Sequence, residues 1–391
     1  MGRRGIRLAC GVFAALAAFS LACAPGVAAA GPPPVRFAVA APLTGNVASA
    51  GDDIKAGVLL LVEAVNAAGG VGGRPVEAVF FDDQCEPREA AMVSAAIAMD
   101  PDIVGVVGHM CSSAHLAALP AYLREGVAAV TPSATSVVIS SRNRDERGLI
   151  WSFRTVYRDD FQGKFLATYL YKALGLRRIA MLYENSDYGI GLRKSFLKQA
   201  GRRGLTVVGV EAYKKGDLDF TPQLTKLKAA GPQGLFIAGN YAEGALIAGQ
   251  AASVGLAVPK FGADALDSPD YIRLAGPAAE NTYLTAPLLD ETPGSPGRRF
   301  VEAFIERNGR APVWMSAYAH EAAAALLAAV SRGGATRDGV RSALAAMRTP
   351  ETGSPGLAGP VFFDANGDCP RPAFVKMVRD GAYVAAPQQL R

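Results

Sequence analysis

The sequence predicts an α/β protein built from two Rossmann-like lobes, and three observations favour this fold class. Apolar strand-like runs alternate with segments of helical period along most of the 391-residue chain. This alternation is typical of parallel sheets covered by helices on both faces. It begins again after Trp151 with a similar order of elements. Without a predicted N-terminal export segment about 360 residues remain, enough for two domains of typical size.

The first half reads as three strand–helix pairs followed by one more strand. Its first helix carries apolar residues at helical spacing from Ile54 to Val65 and ends at Gly69-Gly70. The predicted elements are a strand in 35–45, a helix over Asp52–Ala68, a strand over Val76–Asp83, a helix over Pro87–Met99, a strand over Asp102–Gly108, a helix over Ser112–Glu125, and a strand with its loop in 127–135.

The second half repeats this order. The predicted elements are a helix from Asp159 or Asp160 to Leu174, a strand in 178–184, a helix over Gly189–Ala200, a strand in 205–213, a helix over Phe220–Ala230, a strand in 234–240, and a helix over Glu243–Val254. Polar loops follow three strands, at Asn185–Tyr188, Asn240–Tyr241 and Asp264–Ser268. Ligands bind beyond the carboxyl ends of parallel strands, so these loops lie on the edge where a ligand is expected.

The last third is less regular. Loop composition around Tyr283–Pro287 predicts a crossing between the lobes, and Arg299–Val330 reads as two helices. Gly359–Asp368 and Pro372–Val384 are predicted as strands, with an Asn-Gly turn between them.

The N-terminus has the layout of a secretory signal over residues 1–30. Three arginines precede the apolar run Leu8–Ala22, and Ala28–Ala30 supplies a small-residue cleavage site. Two alternatives stay open: lipid attachment at Cys23, which follows a weak lipoprotein box, and a membrane span over Leu8–Ala30. Such a signal predicts export of the protein, to the periplasm in a cell with two membranes.

Composition and motifs argue against several function classes. The formal charge of +5 includes the three arginines of the signal, and no basic cluster with aromatic residues suggests nucleic-acid binding. No nucleophile elbow, zinc-protease motif or phosphate loop is present. The spacing of His109 and His115 is poor for a metal site, so both are expected on a loop or a helix surface. We therefore expect no enzyme, no metal and no cofactor.

Five cysteines occur, of which Cys10 and Cys23 fall in the signal. In an exported protein Cys85 and Cys111 are candidates for a disulfide, with two buried free thiols as the alternative. Cys369 is left over.

Candidate ligand-binding side chains lie on the strand-end loops. Ser112 opens a helix, where N–H groups favour an anion, and Thr135 sits in the loop after the next strand. Asp264 could pair with an ammonium group, while Tyr188 and Trp314 could cover an aliphatic side chain. Each also has an ordinary structural explanation, as a cap or a packing residue.

These residues stand in motifs that resemble the periplasmic branched-chain amino-acid binding proteins, the type I solute receptors of ABC importers. The motifs are FDDQCEP, GHMCSS, VTPSAT, YENSDYGIGL, GDLDFTPQLTKLK and GPVFFDANGD. The resemblance implies a clamshell of two lobes joined by three crossings, with lobe 1 at 35–154 plus 286–357 and lobe 2 at 155–285 plus 358–391. It also implies a Cys85–Cys111 disulfide.

The resemblance further implies roles for the site residues. Ser112 and Thr135 would hold the ligand carboxylate with help from the backbone of Met110, Cys111 and Ser133, and Asp264 would hold the ammonium. Tyr188 would cover the ligand. The side-chain pocket departs from the family at Ala50 and Asn240, with Tyr241 and Trp314 also predicted there.

The function implied is an exported receptor that binds an amino acid, branched-chain or similar aliphatic, and delivers it to ABC-transporter permease subunits. An alternative is a sensor that reports ligand occupancy to a signalling partner. A monomer is expected.

Overall fold

The structure is a computed structural model that describes residues 1–2, 32–287 and 294–390. The predicted signal, with Cys23, therefore lies outside the described residues apart from Met1 and Gly2.

The first sheet has five parallel strands in the order β2-β1-β3-β4-β5. They are β1 Val35–Ala41, β2 Val76–Asp82, β3 Ile103–Gly108, β4 Ala129–Thr131 and β5 Ser152–Arg154. Four helices connect or follow them: α1 Ala48–Ala67, α2 Pro87–Met99, α3 Ser112–Glu125 and α4 Val137–Arg142. All six residues of β3 are buried, as expected for a central strand covered on both faces.

The second sheet has seven strands in the order β12-β11-β10-β9-β8-β6-β7. They are β6 Arg178–Glu184, β7 Thr206–Tyr213, β8 Gly234–Ala238, β9 Lys260–Gly262, β10 Thr282–Pro287, β11 Ala373–Arg379 and β12 Ala382–Ala385. The helices of this part are α5 Asp159–Lys172, α6 Asp187–Arg203, α7 Thr221–Ala229, α8 Tyr241–Ser253 and α9 Pro269–Ala275. Strands β6 to β10 are parallel, whereas β11 and β12 form an antiparallel hairpin on β10.

Three further helices return to the first sheet: α10 Pro296–Asn308, α11 Trp314–Gly333 and α12 Arg337–Ala346. Helix α11 packs against α1 and against β3 and β4. The approach is close at Gly57, where an added Cβ would lie 2.0 Å from the Ser316 carbonyl oxygen. We call the first sheet with α1–α4 and α10–α12 lobe 1, and the second sheet with α5–α9 lobe 2. The predicted fold class is confirmed, and the chain passes between the sheets after β5, after β10 and before β11.

Three details differ from the prediction. The segment Tyr283–Pro287 belongs to strand β10, and the predicted crossing between the lobes follows it; with five of its six residues buried, this strand shows no alternation that the sequence analysis could detect. Residues 358–368 form no strand of the second sheet. They lie against lobe 1, where Arg154 N–H donates to the Gly367 carbonyl at 2.9 Å. The rings of Phe153 and Phe363 pack 5.1 Å apart, so the turn before Asp368 belongs to this contact and not to a hairpin.

Candidate functional site

A cavity of about 220 Å³ lies where the carboxyl ends of the strands of both sheets meet. This is room for about seven waters, or for one small molecule. Of the eleven residues predicted to contact the ligand, ten line the cavity: Ala50, Met110, Cys111, Ser112, Ser133, Tyr188, Asn240, Tyr241, Asp264 and Trp314. Thr135 is fully buried and is not part of the cavity wall.

The wall contributed by lobe 1 is held by a disulfide between Cys85 and Cys111, whose Cα atoms are 5.4 Å apart. The bridge joins the loop after β2 to the residue before α3. Helix α3 begins at Ser112, so this residue is not the N-cap that its sequence position suggested; Cys111 is. The Ser112 hydroxyl accepts a hydrogen bond from the Ser136 N–H at 3.2 Å. Its own proton is therefore available to an acceptor in the cavity.

Other hydroxyls order the same wall. Thr131 donates to the His109 carbonyl at 2.7 Å and accepts from the Ala134 N–H at 3.0 Å. Ser133 donates to the Met110 carbonyl at 3.2 Å. Thr135 stands behind this wall, where its hydroxyl lies beside the carboxyl of Asp159. Burial raises the pKa of Asp159 well above its usual value, and the nearby Thr135 hydroxyl opposes that rise.

Two histidines lie under this wall. His109 is on a loop and His115 is on α3, as predicted, but neither side chain reaches the surface. His109 bonds Asp83 at 2.7 Å and the Tyr122 hydroxyl at 2.8 Å through its two ring nitrogens. His115 accepts from the His109 N–H at 3.2 Å and contacts the Ser152 hydroxyl at 2.7 Å. Burial holds the pKa of His115 well below its usual value, so the ring is neutral. Both rings are completely buried and support the loop that leads into α3.

The wall contributed by lobe 2 is centred on Asp264, which is 2 % exposed. One carboxylate oxygen accepts from the Tyr188 hydroxyl at 2.6 Å and from the Gln162 amide at 3.2 Å. The other oxygen is buried and has no hydrogen-bond partner among the described residues. Burial raises the pKa of this carboxyl to about 6. A buried carboxylate oxygen without a partner is costly, and a cation at that point would offset the cost.

The structure adds polar residues that the sequence reasoning missed. Lys215, after β7, donates from Nζ to the carbonyls of Gln84 and Cys85 at 3.1 and 3.0 Å and to the Glu86 carboxylate at 2.7 Å. Glu184, at the end of β6, accepts from the Asn240 amide at 3.0 Å. Lys215, Glu86 and Glu184 all line the cavity. Their positions at or shortly after the ends of strands could have identified them as candidate site residues.

Two more hydrogen bonds join the lobes beside the cavity. The Ser113 hydroxyl accepts from the Asp187 N–H at 3.1 Å, and the hydroxyls of Ser49 and Tyr241 lie 2.7 Å apart. Together with Lys215 they hold the lobes closed around the cavity.

Two kinds of site are not found in the described part of the chain. No cluster of three or more histidine, cysteine or acidic side chains there is arranged to hold a metal ion. No helix in that part combines the length and the apolar composition needed to cross a membrane.

Two lobes that present their strand ends to one shared cavity define a two-lobed solute receptor. The chain matches the periplasmic binding protein family over residues 34–382. It is 31% identical over 362 residues to a Leu/Ile/Val-binding protein homolog 3 of Brucella melitensis, covering 92% of this chain and 95% of that protein. It is 34% identical over 275 residues to a leucine-, isoleucine-, valine-, threonine- and alanine-binding protein of Pseudomonas aeruginosa, and the alignment covers 70% of this chain and 72% of that protein.

Among solved structures, the substrate-binding protein LivJ of Streptococcus pneumoniae in complex with isoleucine is similar, with a TM-score of 0.80 and 25% identity. The alignment covers 91% of this chain and 99% of LivJ. The chain belongs to the periplasmic binding protein family. Members of this family are solute-binding receptors and not enzymes, which confirms the prediction that this chain is no catalyst.

Proposed function

We propose that the protein is an exported, periplasmic receptor that binds an α-amino acid between its lobes and delivers it to the permease of an ABC importer. The observation that carries the proposal is the unpartnered, buried oxygen of Asp264 in the same small cavity as the hydroxyl of Ser112. One group calls for a cation and the other stands at a helix N-terminus that favours an anion. A zwitterion satisfies both.

The carboxylate side is proposed to consist of the Ser112 hydroxyl, Ser133, and backbone N–H groups at Met110 and Cys111. The first N–H groups of a helix have no partners within the helix, and those of α3 open into this wall. Thr135 is proposed to support this side indirectly, because the next residue, Ser136, supplies the N–H that orients Ser112.

The side chain of the ligand is proposed to lie against an apolar wall. Ala50, Met110, Trp314 and Met315 line the cavity and suit an aliphatic group. The relatives named for leucine, isoleucine and valine make a branched-chain or similar aliphatic side chain the first expectation. Delivery to a permease, and the periplasmic location, rest on the family.

The test uses mature protein that has been unfolded and refolded to remove bound ligand. Titration calorimetry with the common L-amino acids should identify a tight ligand. Its analogue without the amine and its analogue without the carboxylate should each bind at least tenfold more weakly, since each loses a charge-assisted contact of about 1.5–3 kcal/mol. For leucine these analogues are 4-methylpentanoate and 3-methylbutylamine. If the analogue without the amine bound as tightly as the amino acid, Asp264 would not be an ammonium partner and the proposal would be wrong.

A further inference from the structure

Four polar side chains form a row along the ligand edge of the second sheet. Asp264 follows β9, Asn240 follows β8, Glu184 ends β6 and Lys215 follows β7. These four strands are neighbours in the order β9-β8-β6-β7. Adjacent strands lie about 4.8 Å apart, so Glu184 stands about 10 Å along the row from Asp264. All four residues line the cavity.

The first sheet lies opposite in a matching order. At one end, Lys215 of lobe 2 bonds Glu86, which follows β2 at the edge of the first sheet. At the other end, Thr135 and Ser133 follow β4, and Thr135 contacts Asp159, a close neighbour of Asp264. The cavity therefore has two ends. With an α-amino group at Asp264, a ligand side chain directed along the row would reach Glu184 and Lys215.

This second end is polar although a branched-chain ligand needs it apolar. Glu184 is 3 % exposed, and burial together with the nearby Glu243 raises its pKa. Glu184 accepts one N–H of the Asn240 side chain, and that amide makes no other hydrogen bond among the described residues. An amide nitrogen has two N–H groups, and a carboxylate can accept about four hydrogen bonds. Donor and acceptor capacity therefore stand side by side on the cavity wall, where Glu184 is buried and Asn240 is half-buried.

We propose that the preferred ligand is an amino acid whose side chain ends in a carboxamide, which rests on the proposed function and narrows it. The carboxamide NH₂ would donate to Glu184, and its carbonyl would accept the second N–H of Asn240. The aliphatic stem would lie against the apolar wall.

The charges of this end disfavour the other side-chain classes. A carboxylate on the ligand would face Glu184 and Glu86, both acidic, while the three bonds of Lys215 are already made to Gln84, Cys85 and Glu86. Glu86 and Lys215 already pair with each other, so a cationic side chain would depend on Glu184 alone, which is buried and bonded to Asn240. A purely apolar end would cover Glu184 and Asn240 without giving them partners, and a site built for hydrogen bonds discriminates strongly against such analogues.

The experiment compares L-glutamine, L-glutamate, L-arginine and L-leucine by titration calorimetry on the refolded, ligand-free mature protein. The expected result is that glutamine binds at least tenfold more tightly than each of the other three. Any smaller preference overturns the carboxamide assignment, and tight leucine binding would do so while leaving the proposed function intact. If no L-amino acid of the full set bound, the proposed function itself would fail.

Variants test the residues. Glu184→Gln should lower the affinity ratio of glutamine to leucine at least fivefold. Asn240→Leu should lower the same ratio, and it provides the test if the Glu184 variant does not fold. The matched control is Glu211→Gln, since Glu211 lies on β7 in the same lobe, pairs with Lys226 and is outside the cavity wall. A ratio that falls less than fivefold in the folded Glu184 variant, or that falls equally in the control, overturns the inference.

Discussion

Replacing Asp264 with asparagine should stabilise the ligand-free protein at neutral pH while it abolishes amino-acid binding. Burial raises the pKa of this carboxyl from 3.8 to about 6. A folded-state pKa above the unfolded value means that the free energy of unfolding is highest below about pH 4 and falls as the pH rises to about 6. The difference of about 2 pKa units corresponds to about 3 kcal/mol, at 1.36 kcal/mol per unit. Asparagine has no charge to bury and avoids this loss.

The net gain in the free energy of unfolding is smaller than about 3 kcal/mol. The asparagine NH₂ would take the place of the unpartnered oxygen and leave a buried donor unsatisfied, which costs about 1–2 kcal/mol. We expect a net stabilisation of about 1–2 kcal/mol at pH 7.5. The unfolding entropy is about 2.1 cal/mol/K per residue, so about 360 residues convert this gain into a rise in Tm of about 1–3 °C.

The assay is differential scanning calorimetry of ligand-free parent and variant at pH 7.5 and pH 4.5. The advantage of the variant should shrink at the lower pH, where the parent carboxyl is protonated. Asp102→Asn is the control, because the Asp102 side chain is 75 % exposed. A variant less stable than the parent by the same amount at both pH values would refute the reasoning from burial. Parent-like amino-acid affinity would refute the ammonium role.

The remaining predictions concern binding and the lobe contacts. Ser112→Ala should lower the affinity for the tightest-binding amino acid about 10–100-fold by calorimetry, and Thr135→Ala should lower it less. A larger loss in the Thr135 variant would contradict the indirect role of Thr135. Affinity should be constant above about pH 7 and fall as the pH drops below about 6, since protons then compete for the Asp264 carboxylate; a flat profile from pH 7.5 to 5 would exclude this. Lys215→Met should raise the dissociation rate in stopped-flow fluorescence about tenfold, because three bonds between the lobes are lost; an unchanged rate would show that these bonds do not hold the closed state. Serine at both Cys85 and Cys111 should lower the unfolding free energy by about 3–4 kcal/mol in urea titration, compared with Cys369→Ser; equal losses in both would contradict the loop-closure argument.

Much of the fold could be predicted because many of its helices and strands show a hydrophobic pattern within a short stretch of sequence. The buried run of β3 and the helical period of α1 each lie within one short stretch of sequence. Short strands carry too few residues to show a period, which is why β5, with three residues, was missed. The turn at Asn366-Gly367 has hairpin chemistry, yet its partner strand is β5, more than 200 residues earlier.

The site was predictable where side chains follow strands, and unpredictable where distant elements meet. Asp264 and Ser112 each follow the carboxyl end of a strand in their own sheet, which is the edge where a ligand is expected. The contact of Lys215 with the loop at Glu86 joins residues 129 apart, and no local pattern encodes it. The burial of His109 was not predictable, because its partners Asp83 and Tyr122 come from separate elements that only the fold brings together.

The hydrogen bonds around Asp264 have a consequence for the order of events. Gln162, Tyr188 and Asp264 all belong to lobe 2, and Ser112 is oriented by Ser136 within lobe 1. Each half of the site is thus pre-organised by its own lobe, before the other half arrives. The ligand itself then serves as the cross-link between two rigid half-sites. Release then requires the bonds between the lobes at Lys215, Ser113 and Tyr241 to break, while the hydrogen bonds within each half can stay made.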